Sequence, residues 1–220
     1  MTKRRGLIAL LGALPLPLPL AAEPAPALSP ALSGAQVLLF ETPHLAALDP
    51  PVRLDYDFLR AAAGQAPVHD TIRLAVRAGE EPGRRDVAAE FLTGPRAIRY
   101  PTARGFRGNP LLLFALDRVS RELSAATGGA PDWFRNRIRR ALAEAAPPRH
   151  LMLAFDGREI DAAEVTLHPF IGEPRAGRYQ DQRYRFVLAE AVPGWIHTIF
   201  GELAEGAVRE EITFAAAVPL

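Results

Sequence analysis

Apolar and polar residues alternate along several short stretches of the first half of the chain. Leu54, Tyr56 and Phe58 are separated by Asp55 and Asp57, and Ile72, Leu74 and Val76 are interleaved with Arg73 and bounded by Arg77. Val87, Ala89 and Phe91 form a third set, and Ile98 with Tyr100 a shorter fourth. A period of two sends successive side chains to opposite faces, so each set predicts a strand with one dry and one wet face. Strands of a parallel sheet, buried on both faces, would read as continuous apolar runs; an antiparallel sheet covered on one side is predicted instead. Ahead of these strands, residues 36–41 form the first segment with ordered character.

The period then lengthens. Asn109 and Pro110 make a helix start, because Asn can cap orphan amides and Pro at the first helical position has no amide to satisfy. Leu112, Leu116, Val119 and Leu123 follow on one stripe, with Asp117, Arg118, Arg121 and Glu122 off it, and Gly128 and Gly129 supply the stop. Asp132 is the expected cap of a second helix whose stripe is Phe134, Ile138, Leu142 and Ala145; Pro147 and Pro148 end it. Strand character returns over residues 150–156, Asp156 and Gly157 predict a tight hairpin turn, and residues 160–167 form the returning arm. Tyr184, Phe186 and Leu188 alternate with Arg183 and Arg185, residues 193–203 read as a short helical or loop piece, and residues 210–216 as a last strand. A one-sided sheet needs a cover, and the two helices are the only long amphipathic elements. The predicted fold is α+β, a curved antiparallel sheet packed around a two-helix hairpin.

The N-terminus alters the charge picture. Lys3, Arg4 and Arg5 precede an apolar run over residues 6–14, broken by Pro15, Pro17 and Pro19 before Ala21 and Ala22. This predicts a cleavable signal peptide over residues 1–22, with too short an unbroken apolar stretch for a membrane anchor. Residues 23–35 read as a Pro/Ala-rich linker and residues 36–220 as a single domain. Removing the signal's three cations turns 26 Lys+Arg against 25 Asp+Glu into 23 against 25. A slightly acidic mature domain argues against a nucleic-acid partner. The chain has no cysteine, so there is no disulfide and no thiol for lipidation; a soluble periplasmic or secreted domain, held together by burial alone, is expected.

Candidate chemistry is sparse. The serines beyond the linker, Ser120 and Ser124, fall on the predicted polar side of the first helix, and no G-x-S-x-G elbow is present. His44, His69, His150, His168 and His197 are scattered singly, without a metal-ligand spacing, and read as exposed loop residues. No cofactor or metal is predicted. Asp55 and Asp57 share a strand face and, with a histidine, could form an acid/base site, although the alternation around them is what a wet strand face requires. Gly105 to Pro110 precede a helix but match no phosphate-binding spacing. The densest feature is RNRIRR: Arg135, Arg137, Arg139 and Arg140, with Trp133 and Phe134 before them. Guanidinium forks suit carboxylates and phosphates, and a basic helix with aromatics at one end can lie on an anionic membrane. Acids such as Glu122 and Glu144 are available to pair with these arginines, leaving a solvated helix face. Trp195, in the turn Val192-Pro193-Gly194-Trp195, is either a pocket wall or a plug for the sheet.

Gly108-Asn109-Pro110, Thr127-Gly128-Gly129, the WFRNRIR run from Trp133 to Arg139, and Val192-Pro193-Gly194 together resemble an uncharacterised family of exported proteobacterial proteins over about residues 36–203. That resemblance implies a periplasmic location and no particular activity. Separately, the order of elements is similar to that of periplasmic lipoprotein-carrier-like domains, which implies a curved sheet cupping helices and an apolar cavity. Three function classes follow. The first is a non-enzymatic binder of an apolar or amphipathic ligand, such as a lipid, between sheet and helices. The second is an interaction module docking its arginine helix on an acidic protein or anionic membrane. The third is an enzyme with a carboxylate/His site on the sheet.

Overall fold

The structure, a computed structural model, describes residues 31–203 and 207–220; the predicted signal peptide and most of the predicted linker lie outside them. Order begins at Ser33, which caps a short helix α1 (Gly34–Gln36) reciprocally. Its Oγ accepts from the Gln36 amide at 3.1 Å while Gln36 Oε1 accepts from the Ser33 amide at 2.9 Å. The chain continues as a wide helical turn, Val37–Glu41, and drives Ala35 and Leu39 into the core.

Nine strands follow in one antiparallel sheet: β1 (Val52–Ala62), β2 (Val68–Ala78), β3 (Arg85–Phe91), β4 (Ala103–Phe106), β5 (Arg149–Phe155), β6 (Arg158–Leu167), β7 (Arg183–Leu188), β8 (Ile196–Leu203) and β9 (Val208–Pro219). Their spatial order is β4-β3-β2-β1-β9-β8-β7-β6-β5, an open sheet in which the last strand joins two sequential halves by pairing with the first. Helices α2 (Leu111–Thr127) and α3 (Pro131–Ala143) lie in sequence between β4 and β5. Because those strands are the two opposite edges, the connection must traverse the width of the sheet. Both helices share one hydrophobic core with it: Leu111, Leu112, Phe114 and Leu123 of α2 and Phe134, Ile138 and Leu142 of α3 pack with Tyr56, Phe58, Ile72, Leu74 and Phe186.

The alternation in β1 is realised as predicted. Leu54, Tyr56 and Phe58 are buried, with Leu54 opposite Leu74 and Tyr56 opposite Ile72 on β2, while Asp55 and Asp57 point the other way. Asn109 does cap α2, its Oδ1 accepting the Leu111 amide at 3.1 Å, and Gly128 ends it in the left-handed region. Asp156 and Gly157, with φ of 50° and 73°, form the tight turn between β5 and β6.

Four elements differ from expectation. Ile98 makes only a single bridge to Phe91, and the fourth strand starts at Ala103, because Pro101 cannot donate to a ladder. Residues 193–203 are not helical beyond the turn: Ile196–Leu203 is the interior strand β8. Its buried Ile196, Ile199, Phe200 and Leu203 mimic helical spacing, for two reasons. A bulge between the Val187 and Leu188 pairings lets Ile196 and Ile199 face one side, and Phe200 is buried on the opposite side. Asp132 does not cap α3; Ala130 holds that position, Pro131 opens the helix, and Asp132 sits in the first turn bound to Arg135. Finally, Ser120 is buried, its hydroxyl donating to the Leu116 carbonyl at 2.9 Å.

Candidate functional site

Two buried polar assemblies fix the helices against the sheet, and the second opens onto a cleft. The first is centred on His44, which is 1 % exposed and not the loop histidine its isolation in sequence predicts. Its Nε2 contacts the Leu38 carbonyl at 2.8 Å and its Nδ1 accepts the Asn109 amide at 3.1 Å, which assigns the proton to Nε2. Burial lowers its pKa, outweighing the opposing hydrogen bond to Leu38. Asn109 Nδ2 donates to Tyr56 Oη and to the Gly194 carbonyl, both at 3.0 Å. The start of α2, strand β1 and the turn before β8 are thereby joined by one side chain.

The second assembly is a four-charge ring. Arg118, on α2, binds both Glu122 and Glu210 and lies over the Phe58 ring, 5.1 Å from its centroid. Arg60 on β1 reaches Glu210 at 2.7 Å and Glu122 at 3.7 Å. The Arg118 side chain is 5 % exposed, so its charge depends on the two glutamates. Burial raises the Glu122 pKa; the Arg118 charge opposes this and the Glu210 charge adds to it. Burial, with a further contribution from Glu210, raises the Tyr184 phenol well above its ordinary value.

Beside this ring is a half-open cleft of about 440 Å³ between the C-terminal half of α2 and strands β1, β9, β8 and β7. Val119, Leu123, Ala125 and Ala126 form its helical side, and Tyr184, Gly201 and Val208 belong to the facing strands. Gly201 lies opposite Tyr184 in register, and a Cβ there would come within 3.3 Å of the ring, so the glycine leaves room for the aromatic in the cleft floor. Arg60, Glu122, Glu210, Arg178, Tyr179 and Gln182 complete the wall. The lining is therefore apolar along the helix and charged at the ring.

The residues singled out from sequence lie elsewhere. Trp133 stacks on Phe170 and meets Phe134 edge-on, at the flank of the core. Trp195, at φ +66°, sits 5.7 Å from the His44 ring. Neither tryptophan lines the cleft. Arg135 pairs with Asp117 and Asp132, Arg137 with Glu173 at 2.6 Å, and Arg140 with Glu144 at 2.9 Å. Arg139 has no acidic partner among the described residues; it borders a second groove, of about 510 Å³, with Leu113, Leu116, Ile138 and Leu142. Asp55 is held by Arg53 in two hydrogen bonds of 2.7 and 2.8 Å. Asp57 and His69 border a shallow, open groove on the outer face of the sheet, without a hydrogen bond between them. Among the described residues, no cluster of three metal-ligating side chains occurs and no helix is long and apolar enough to cross a membrane.

The ring and cleft were missed because their members are remote in sequence: Arg60, Arg118, Glu122, Arg178 and Glu210. One signal was available. Arg118 falls seven residues after Leu111 and four after Phe114, which places it on the buried stripe, where an arginine requires carboxylate partners.

No family model and no curated protein matches the chain. Among solved structures it is similar to MucB in complex with MucA(peri), at 15% identity and TM-score 0.39, over 80% of this chain and 53% of that one. It is also similar to lipoprotein LppX of Mycobacterium tuberculosis (10% identity, TM-score 0.33, 74% and 84% of the two chains) and to a LolA superfamily protein of Nitrosomonas europaea (12%, 0.27, 86% and 94%). The chain thus spans about half the length of the MucB chain it matches. All three likenesses are remote.

Proposed function

We propose that this chain is an exported, non-enzymatic binding protein that holds an apolar or amphipathic ligand between its helices and its sheet, in the cleft beside the Arg118 ring. On this reading residues 1–22 direct it to the periplasm or outside the cell, and a curved sheet wraps a helical hairpin that forms the cleft's other wall. The observation that carries it is the cleft itself. Its volume falls within the range of about 300–1,000 Å³ usual for small-molecule sites, and it pairs an apolar helical wall with a few fixed polar groups. The helices otherwise pack tightly on the sheet, so a ligand would enter at this end and not beneath the whole hairpin.

Binding of a neutral hydrophobic fluorophore, N-phenyl-1-naphthylamine, tests the proposal. Wild-type protein should bind it saturably, and filling the cleft with Ala125→Trp or Ala126→Trp should abolish binding while leaving the thermal unfolding profile intact. No saturable binding, or full binding by both folded variants, would overturn it.

A second reading, docking on an acidic surface, is favoured by one observation: Arg139 is unpaired beside an apolar groove that also includes Leu113, itself 45 % exposed. Because Arg135, Arg137 and Arg140 already pair with acids of this chain, that role would fall to Arg139. Arg139→Glu should then abolish sedimentation with vesicles of anionic lipid, and unchanged sedimentation would count against it.

A further inference from the structure

The charges around the cleft do not balance, and the following inference rests on the ligand-binding reading above. Arg60 and Arg118 are matched by Glu122 and Glu210 in the closed ring, so those four cancel. Arg178 is different. It lies on the turn Pro174–Tyr179 that borders the cleft, is exposed, and has no acidic partner among the described residues. Its guanidinium is nevertheless placed: it lies over the ring of Tyr179, 5.0 Å from the centroid, and Nη2 donates to the Tyr179 hydroxyl at 2.9 Å. This leaves most of the guanidinium's N–H donors without a protein acceptor, beside the Gln182 side chain that borders the same cleft.

We infer that the cleft selects a single-chain amphipathic anion, with its carboxylate or phosphate head on Arg178 and its chain along Val119, Leu123 and Ala126. The guanidinium fork matches either oxyanion, whereas a cationic head would meet Arg178 with like charge and find both glutamates already engaged. A neutral head would have no partner for the unpaired charge. At about 440 Å³ the cleft is in the lower part of the small-molecule range, which favours one chain over two.

The test keeps the chain constant and varies the head. Delipidated full-length mature protein is titrated by calorimetry with dodecanoate, dodecyl phosphate, monolauroylglycerol and dodecyltrimethylammonium, each below its micelle concentration, and with inorganic phosphate and acetate alone. Dodecanoate and dodecyl phosphate should bind about tenfold more tightly than the neutral and cationic amphiphiles. Arg178→Gln should remove that preference while leaving monolauroylglycerol affinity unchanged; because Arg178 is exposed, the variant should fold normally, as checked by circular dichroism. Equal affinity for all four heads, or an anion preference that survives Arg178→Gln, would overturn this inference and leave the binding function standing. Phosphate or acetate binding as tightly as its dodecyl counterpart would overturn it too, because the chain would then play no part. Absence of binding by every amphiphile would overturn the ligand-binding reading itself.

Discussion

Asn109 donates from its side-chain amide to the hydroxyl of Tyr56 at 3.0 Å, across 53 positions of sequence, in a site from which water is excluded. The same side chain caps α2 through the Leu111 amide and holds the Gly194 carbonyl, so one residue satisfies three separate elements. Asn109→Ala should therefore destabilise the protein by about 3 kcal/mol, combining a lost cap with buried groups left unpaired. Tyr56→Phe removes one of these bonds and should cost about 1 kcal/mol. Urea unfolding of the two variants checks both the order and the sizes.

Gly194 is the second residue this junction cannot change. Its φ is +75°, and a Cβ there would lie 2.7 Å from Leu54 Cδ1 and 3.0 Å from Asn109 Nδ2. Gly194→Ala should lower stability by roughly 2 kcal/mol or more, through backbone strain and overpacking together. Gly83, also at positive φ but with open space around it, offers the comparison. Gly83→Ala should cost only the backbone component, near 1 kcal/mol. Equal losses at the two sites would show that the close approach has no energetic weight.

Arg118 neutralises two carboxylates from a buried position. Arg118→Met should cost about 3–5 kcal/mol at neutral pH, because Glu122 and Glu210 lose their shared cation. Adding Glu122→Gln and Glu210→Gln to that variant should recover much of the loss. Thermal denaturation of the single and triple variants distinguishes a charge effect from simple loss of packing against Phe58.

Two groups predict acid sensitivity in separate windows. His44 has a lowered folded-state pKa, so the unfolded chain binds its proton first; stability is full above about pH 6.5 and declines as pH falls below it. His197, half-buried, is lowered by burial against the opposing charge of Glu211 and contributes with the same sign. Asp70 behaves as a depressed acid. Burial would raise its pKa, but hydrogen bonds from Thr93, the Thr71 amide and Arg96 prevail and hold it at about 2. Its contribution is present above the ordinary carboxylate range, near pH 4, and is lost as pH falls toward 2. Denaturant midpoints measured from pH 8 to 2 should show both declines. His44→Gln should flatten part of the first, and Asp70→Asn should remove part of the second.

Local patterning made much of the fold legible before any coordinates. Alternation around Leu54, Tyr56 and Phe58 defines β1 because its faces see different media, and the Asn-Pro start and Gly-Gly stop bracket α2 because chain chemistry alone sets helix ends. Legibility failed where long-range contacts overrule local period. Ile196 to Leu203 carries helical spacing but pairs as β8 because a bulge and burial on both faces supply the apolar positions. His44 looked like a loop histidine because its partners, Leu38 and Asn109, meet it only in the folded chain.

The sequence alone determined the predicted export signal, the near-neutral charge, the absence of cysteine, and an α+β architecture with an antiparallel sheet; all of these follow from composition or short-range period. Only the tertiary structure decided which arginines are spent internally and where a cleft opens. Arg135, Arg137 and Arg140 form the densest cationic cluster in sequence, yet folding gives each an acid. Arg178, unremarked in the sequence, is left without one among the described residues. Charge density is a local property, whereas charge compensation depends on which distant strands and helices folding brings together.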